Sequence, residues 1–416
     1  MTPRIFVGFG FGAIQSGLFL DEAYRSGRFT RLVVAEVMDD VVRAVRADRG
    51  VFTVNVATKD GIERHEVRGV ELFNPNRPEE REALVEAIAQ ASEIATALPS
   101  VKFFESGGDA SVAGVLADGL RRKIADPARP AAVVYTAENN NHAAEILHDC
   151  LARRLGPDIA RADARCQLLN TVIGKMSGVV TDPGQIREQA LAPATSAAGR
   201  AFLVEAFNRI LITRITLPGF VRGITVFEEK NDLLPFEEAK LYGHNATHAL
   251  IGYLGWLRGF PTMAVAGTDP HILAVARNAF LEESGRALIA RYAELDPLFT
   301  PAGWSVYVED LLLRMANPHL RDAVDRIVRD PRRKLGWTDR LVGTMRLALA
   351  RGIVPAGYAL GAAAAVRLLR QEEDKPAAVL LESVWAEARP DPAEAGAILS
   401  LIEKADPELD RLTGQP

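Results

Sequence analysis

Four short apolar runs punctuate the first third of the chain: RIFVGFG (4–10), RLVVAEV (31–37), VFTVNVAT (51–58) and AAVVYTAE (131–138). Stretches rich in Ala, Arg and Glu separate them. This order of strand and helix signals is that of βαβ units, so it predicts a parallel sheet covered by helices. Residues 200–230 change character, because ILITRITLPGFVRGITVFEE is β-branched and broken by Pro218 and Gly219. Strands extending the same sheet are expected there, and no helix.

With 416 residues the chain exceeds one ordinary core, and two domains are expected. After NDLLPFEE (231–238) the pattern turns helical almost to the end. Pro235 suits an early helical position, and Glu237 and Glu238 favour a helix N-terminus. The expected boundary lies near residue 232. The Ala-rich run IVPAGYALGAAAAV (353–366) is shorter than a membrane span and contains a proline, so it is read as a helix buried in a bundle.

The first strand ends in GFGFGAIQSG, where Gly10, Gly12 and Gly17 bracket a strand-to-helix turn. Missing side chains let the backbone approach a pyrophosphate, and the helix N-terminus supplies unpaired N–H groups and a positive dipole end. Gln15 stands where the usual fingerprint has its third glycine. Glu36 follows at the end of the second apolar run, where an acid accepts hydrogen bonds from the adenosine ribose hydroxyls and repels a 2′-phosphate. The reading is a Rossmann-type dinucleotide-binding domain over 1–232, with extra strands, a preference for NAD, and Gly10, Gly12, Gly17 and Glu36 on the cofactor. A mostly α-helical substrate and catalytic domain over 233–416 completes it.

The composition, 48% hydrophobic and 25% charged, predicts that the whole chain folds. A net charge of -5 provides no field for nucleic acid, and no basic block marks a membrane-surface helix, so a small-molecule partner is expected. Cys150 and Cys166 lack zinc spacing and are read as buried reduced thiols. The N-terminus runs from MTPR straight into an apolar strand without a separate signal segment, and a cytoplasmic location is expected.

The run KLYGHNATH (240–248) places a lysine, an asparagine and two of the seven histidines in a short helical stretch. On a regular α-helix over 236–250, Lys240, Asn245 and His248 fall within an arc of roughly 140°. A partly desolvated lysine can have its pKa lowered enough to take a proton from an alcohol, with Asn245 holding the oxygen and His248 orienting the lysine or the hydroxyl. Gly243, a poor helix former, suggests close approach of a ligand or another backbone. His244 and His248 have metal-ligand spacing, yet Asn245 stands where HExxH needs its glutamate, so no metal is expected. A solvated lysine beside a core histidine is the plainer alternative.

Longer segments carry a resemblance. KLYGHNATHALIGYLGWLRG (240–259) and ANPHLRDAVDRIVRDPRRKLGWTDRL (316–341), with AEVMDDVVRAV (35–45) and YTAENNNHAAE (135–145), resemble the polyol-specific long-chain dehydrogenases, the mannitol dehydrogenase family. The nearest branch is the mannitol-1-phosphate 5-dehydrogenases. The resemblance implies NAD-dependent, metal-independent interconversion of a sugar alcohol, or its phosphate, with the corresponding ketose. It makes Lys240 the general acid–base, gives Asn245 and Asn139 the reacting oxygen, and puts His248 on the substrate. Arg326 and Lys334 are assigned to the far hydroxyls or phosphate, with Arg332 and Arg333 as nearby cations. A monomer or weak homo-oligomer is expected. IGKMSG (173–178) departs from the family's VDR run, with Gly174 for the acid and Lys175 for the arginine, and this bears on the substrate more than on the chemistry. A β-hydroxyacid-type dehydrogenase fits less well, since Lys240 and Asn245 are five apart rather than four. A non-catalytic dinucleotide sensor would have no use for the Lys240, Asn245 and His248 set.

Overall fold

The computed structural model describes residues 4–413. The chain divides into two units, one running to Leu234 and the other beginning at Pro235.

The first unit holds twelve strands among the described residues: β1 Ile5–Phe9, β2 Arg31–Ala35, β3 Phe52–Ala57, β4 Ile62–Val67, β5 Val70–Phe73, β6 Glu93–Thr96, β7 Ala132–Thr136, β8 Cys166–Val172, β9 Ser177–Val180, β10 Ala201–Glu205, β11 Leu211–Thr213 and β12 Glu228–Lys230. The main sheet has the order β12-β11-β8-β7-β6-β1-β2-β5. Six neighbours, β5-β2-β1-β6-β7-β8, run parallel. Their sequence of appearance across the sheet is the 3-2-1-4-5-6 order of a doubly wound dinucleotide fold.

Two expectations for the strands need correction. VFTVNVAT forms β3, but β3 joins a separate four-stranded sheet of order β4-β3-β10-β9. Gly50, at φ +75°, turns the chain beside the start of β5; a Cβ there would come 2.5 Å from the Val70 carbonyl oxygen. Val70 then takes the place beside Leu32 in the main sheet. The buried Asn55 side chain anchors β3 elsewhere, donating to Ala192 and Phe202 carbonyls at 2.8 and 2.9 Å. The strands of 200–230 divide likewise: β11 and β12 extend the main sheet, whereas β10 enters the smaller one.

Alternation along β1 assigns its side chains to two cores. Phe6 joins an apolar layer with Phe52, Val54, Phe202 and Val204 of the small sheet. Ile5, Val7 and Phe9 face the other way, among residues of the helices Pro78–Gln90, Val112–Ala125 and Ala143–Leu155. Burying one such phenylalanine fully contributes about 2–3 kcal/mol. Cys150 and Cys166 are free thiols inside the second layer.

The second unit is helical. Its backbone passes from Leu234–Glu238 through a wide π-helical segment, Ala239–Asn245, into the α-helix Ala246–Leu257. The Ala-rich run forms the helix Ala356–Glu372, buried from Gly357 to Val366. Small side chains permit its close approach to Ala246–Leu257: a Cβ on Gly361 would meet Leu250 at 3.0 Å. The Glu283 carboxylate closes this helix's N-terminus by accepting the Gly357 and Tyr358 N–H groups at 2.7 and 3.2 Å. Among the described residues no helix is long and apolar enough to cross a membrane.

Candidate active site

In the first unit, a cavity of about 670 Å³ opens at the C-terminal ends of β1 and β2 and is lined by Gly10, Gly12, Glu36 and Met38, among others. Gly10, at φ +83°, makes the turn that a side chain would resist, and its N–H donates to the Ala35 carbonyl at 2.9 Å. A Cβ on Gly12 would enter open space. Glu36 is buried and accepts the N–H groups of Phe11 and Met38, each at 2.9 Å, so its carboxylate ties the glycine loop to the end of β2. The volume and the bare glycine backbone suit a dinucleotide.

Gly17 does not line this cavity. A Cβ there would meet Val204 at 2.5 Å and Val54 at 3.2 Å, so this glycine serves the packing of the helical turn on the small sheet. Gln15 has an equally local explanation: a Cβ on Gly8 would lie 2.2 Å from Gln15 Nε2. The space normally left by a helix glycine is left here by a strand glycine. Gly8 was the signal in the sequence. Neither amide atom of Gln15 has a hydrogen-bond partner, although the side chain is wholly buried.

Asn139 is exposed just beyond β7. Its neighbour Glu138, absent from the sequence expectations as a site residue, is buried and accepts the Thr96 hydroxyl and the Leu98 N–H at 2.9 Å each. Burial raises its carboxyl pKa. Lys175, from the departing IGKMSG run, is buried within the first unit, where Nζ donates to Asn208 Oδ1 at 2.6 Å and to the Phe207 carbonyl at 3.1 Å.

In the second unit, Lys240 and Asn245 are brought together by backbone geometry that the sequence expectation did not include. Both lie in the π-helical segment, where hydrogen bonds close from i to i+5. Residues five apart therefore follow one another along the same face, and the arc calculated for a regular α-helix does not apply. His248 follows three residues later on α-helical backbone. Lys240, Asn245 and His248 are all half-buried. Burial, reinforced by the nearby Arg340 charge and opposed by Glu237, holds Lys240 down to about 8. Gly243 accommodates aromatic rings rather than a ligand or backbone: a Cβ would meet Phe280 at 2.7 Å and Trp304 at 3.3 Å. His244 is buried and held well below the usual imidazole range, by burial first and then by His248, Arg314, Lys240 and Arg340.

The 316–341 block supplies a second cluster. His248 Nε2 lies 3.5 Å from Asp322 Oδ2, a long contact that leaves both buried atoms without a formal hydrogen bond. The other Asp322 oxygen accepts Arg326 Nε and Nη2 at 2.7 and 2.6 Å. Asp322 thus joins two of the expected substrate residues, and only the aspartate of the NPHLRD run hinted at it. Burial pushes its carboxyl up, but His248 and Arg326 outweigh this and leave it below its ordinary value. Lys334 is buried, donates to the Arg329 carbonyl, and is held to about 8 by burial and then by Arg340 and Arg333. Arg340, also absent from the sequence expectations, contacts Asp339 at 2.8 Å. Arg332 and Arg333 are already paired with Glu373 and Asp330 at 2.9 and 3.0 Å. Among the described residues no three His, Cys, Asp or Glu side chains form a metal-sized cluster.

The family model of the mannitol dehydrogenase C-terminal domain matches residues 232–403. A mannitol-1-phosphate 5-dehydrogenase of Paenarthrobacter aurescens is 30% identical over 373 residues, covering 89% of this chain and 88% of its own. The chain belongs to the mannitol dehydrogenase family. Another family member, the mannitol-1-phosphate 5-dehydrogenase of Anoxybacillus flavithermus, is 28% identical over 381 residues, 91% of each chain. Among solved structures, Pseudomonas fluorescens mannitol 2-dehydrogenase in a ternary complex with NAD and D-mannitol aligns with TM-score 0.72 at 15% identity, over 100% of this chain and 95% of its own. A substrate-free D-sorbitol dehydrogenase aligns with TM-score 0.73 at 15% identity, over 99% and 92%. At such identities these two structures speak for the mannitol dehydrogenase fold alone.

Proposed function

We propose that this member of the mannitol dehydrogenase family is an NAD-dependent dehydrogenase that interconverts a sugar alcohol, or its phosphate ester, with the corresponding ketose. The curated relatives, aligned over nearly their full lengths, support the polyol class, and the cavity lined by the glycine loop and Glu36 supports the cofactor. The observation that carries the mechanistic reading is Lys240, lowered to about 8 and set in one helical face with Asn245. Bound NAD would supply the hydride acceptor, held by the glycine loop and by Glu36. Lys240 Nζ, in its neutral form, takes the proton from the alcohol oxygen and returns it in the reverse reaction. The Asn245 amide donates to that oxygen as charge develops. Asn139, exposed in the first unit, carries the amide role that the resemblance gives it. His248 and Arg326, braced by Asp322, contact the substrate, and Lys334 provides a cation for distal hydroxyls or a phosphate. No metal takes part in the reading. A cytoplasmic setting belongs to it as well, and would keep the two buried thiols reduced.

The test is oxidation of NADH across ketoses, aldoses and their phosphates, including fructose and fructose 6-phosphate, with a chelator present. Chelator-resistant turnover of one ketose is expected. Silence across the panel, with NADH binding intact, would point to the non-catalytic sensor instead.

A further inference from the structure

Arg200 immediately precedes β10 and lines the same cavity as Glu36. Among the described residues that line this cavity, these two alone carry charge. The small sheet fixes the backbone at Arg200, whose carbonyl accepts the Ala194 N–H at 2.8 Å, while Ala201 pairs with Val180. Ser177, Gly178 and Val179, from the neighbouring β9, line the cavity too. The small sheet thus supplies a wall that the glycine fingerprint does not encode.

The guanidinium is 3.5 Å from Asp40, whose own side chain is 64% exposed. A long contact to a solvated carboxylate holds an arginine weakly. Asp40 belongs to the helix Asp39–Ala47, which starts three residues after Glu36. Arg200 therefore stands by the C-terminal end of β2, where dinucleotide folds read the adenosine ribose. An acid there favours the free 2′-hydroxyl, and an arginine there suits a 2′-phosphate, which its planar fork can take in two hydrogen bonds.

We propose that Arg200 is a cofactor-selectivity residue positioned for the adenosine 2′-phosphate, so that Glu36 enforces the preference for NAD against a phosphate-binding cation already in place. This rests on the cavity being the dinucleotide site of the proposed function. Selectivity is then a balance between two side chains from different sheets, and removing the acid alone suffices to admit NADP.

The test is direct binding of NADH and NADPH to the full chain, by nicotinamide fluorescence, for wild type, Glu36→Gln, Arg200→Ala and the double variant. Wild type binds NADH more tightly. Glu36→Gln gains NADPH affinity on the order of tenfold or more, and adding Arg200→Ala removes that gain while changing NADH affinity only about threefold or less. An unchanged NADPH affinity in Glu36→Gln overturns the proposal, as does a double variant that keeps the gain. Arg200→Ala alone leaves the Glu36 contacts to Phe11 and Met38 in place and should lower the residual NADPH affinity on the order of tenfold, so an unchanged value there overturns the proposal even if Glu36→Gln disorders the loop. Wild type that binds neither dinucleotide would overturn the cofactor assignment, and this proposal with it.

Discussion

Replacing Lys240 by Met exchanges activity for stability, and the size of the exchange follows from the position of the amine. The fold holds Lys240 near 8 against an ordinary 10.5. A base whose folded pKa is depressed is destabilising wherever it is charged. That cost is fully present below about 8, diminishes as pH rises toward 10.5 because the unfolded chain then binds more protons, and disappears above 10.5. At neutral pH the linkage amounts to about 3 kcal/mol, and solvent screening of the half-buried amine brings it to about 2 kcal/mol. Lys240→Met should therefore be more stable than wild type by about 2 kcal/mol at neutral pH, with a gain of about 1 kcal/mol or less near pH 10. All four tryptophans, Trp256, Trp304, Trp337 and Trp385, lie in the second unit, so their fluorescence in urea titrations reports on that unit separately. The same variant should lose turnover on the order of 100-fold or more. In wild type, alcohol oxidation should rise with pH through about 8 and ketose reduction should fall through it, because the two directions need opposite protonation states. Near-normal turnover, or a destabilisation independent of pH, would refute the reasoning.

Asp322→Asn removes the charge that braces Arg326 and faces His248, and steady-state kinetics should show KM rising on the order of tenfold with a smaller change in kcat; an unchanged KM would dissociate the cluster from substrate. Lys334→Met should raise KM for a phosphate ester by on the order of tenfold or more over its effect on the free polyol, and equal effects would take the lysine away from the phosphate. Gly8→Ala should destabilise the first unit by about 1–3 kcal/mol through overpacking against Gln15, as read by circular dichroism in denaturant. Adding Gln15→Ala should recover most of this, and failure to recover would mean that the clash lies elsewhere.

Local patterns made the architecture legible where one pattern determines one outcome. The glycine turn at Gly10 and Gly12, the acid after β2, and the helical run after Pro235 were of this kind. What escaped depended on partners distant in the chain. VFTVNVAT reads as a strand anywhere, but its sheet is chosen by the turn at Gly50 and by Asn55 bonds to residues about 140 positions away. EIAT (93–96), now β6, is too short and too mixed to stand out beside its helix. Gln15 looked like a defect in the fingerprint because its compensation, Gly8, precedes the motif. Asp322 and Arg200 reveal their neighbours only in three dimensions. Residue type singled out Lys240, Asn245 and His248 and the resemblance gave them roles, but periodicity assigned them regular α-helical backbone and missed the π-helical segment that relates them.

That segment makes the spacing of Lys240 and Asn245 a matter of rotational phase. The wide turn absorbs one extra residue, so two side chains five apart share the face that regular α-helical geometry gives to residues four apart. Were the segment to close into regular α-helical hydrogen bonds with every residue kept, the lysine would swing by about 90° relative to the asparagine. A substitution that favours the regular helix would leave the fold nearly intact while turning the proposed base away from Asn245, whereas deleting one residue between them would restore a four-residue spacing and a shared face.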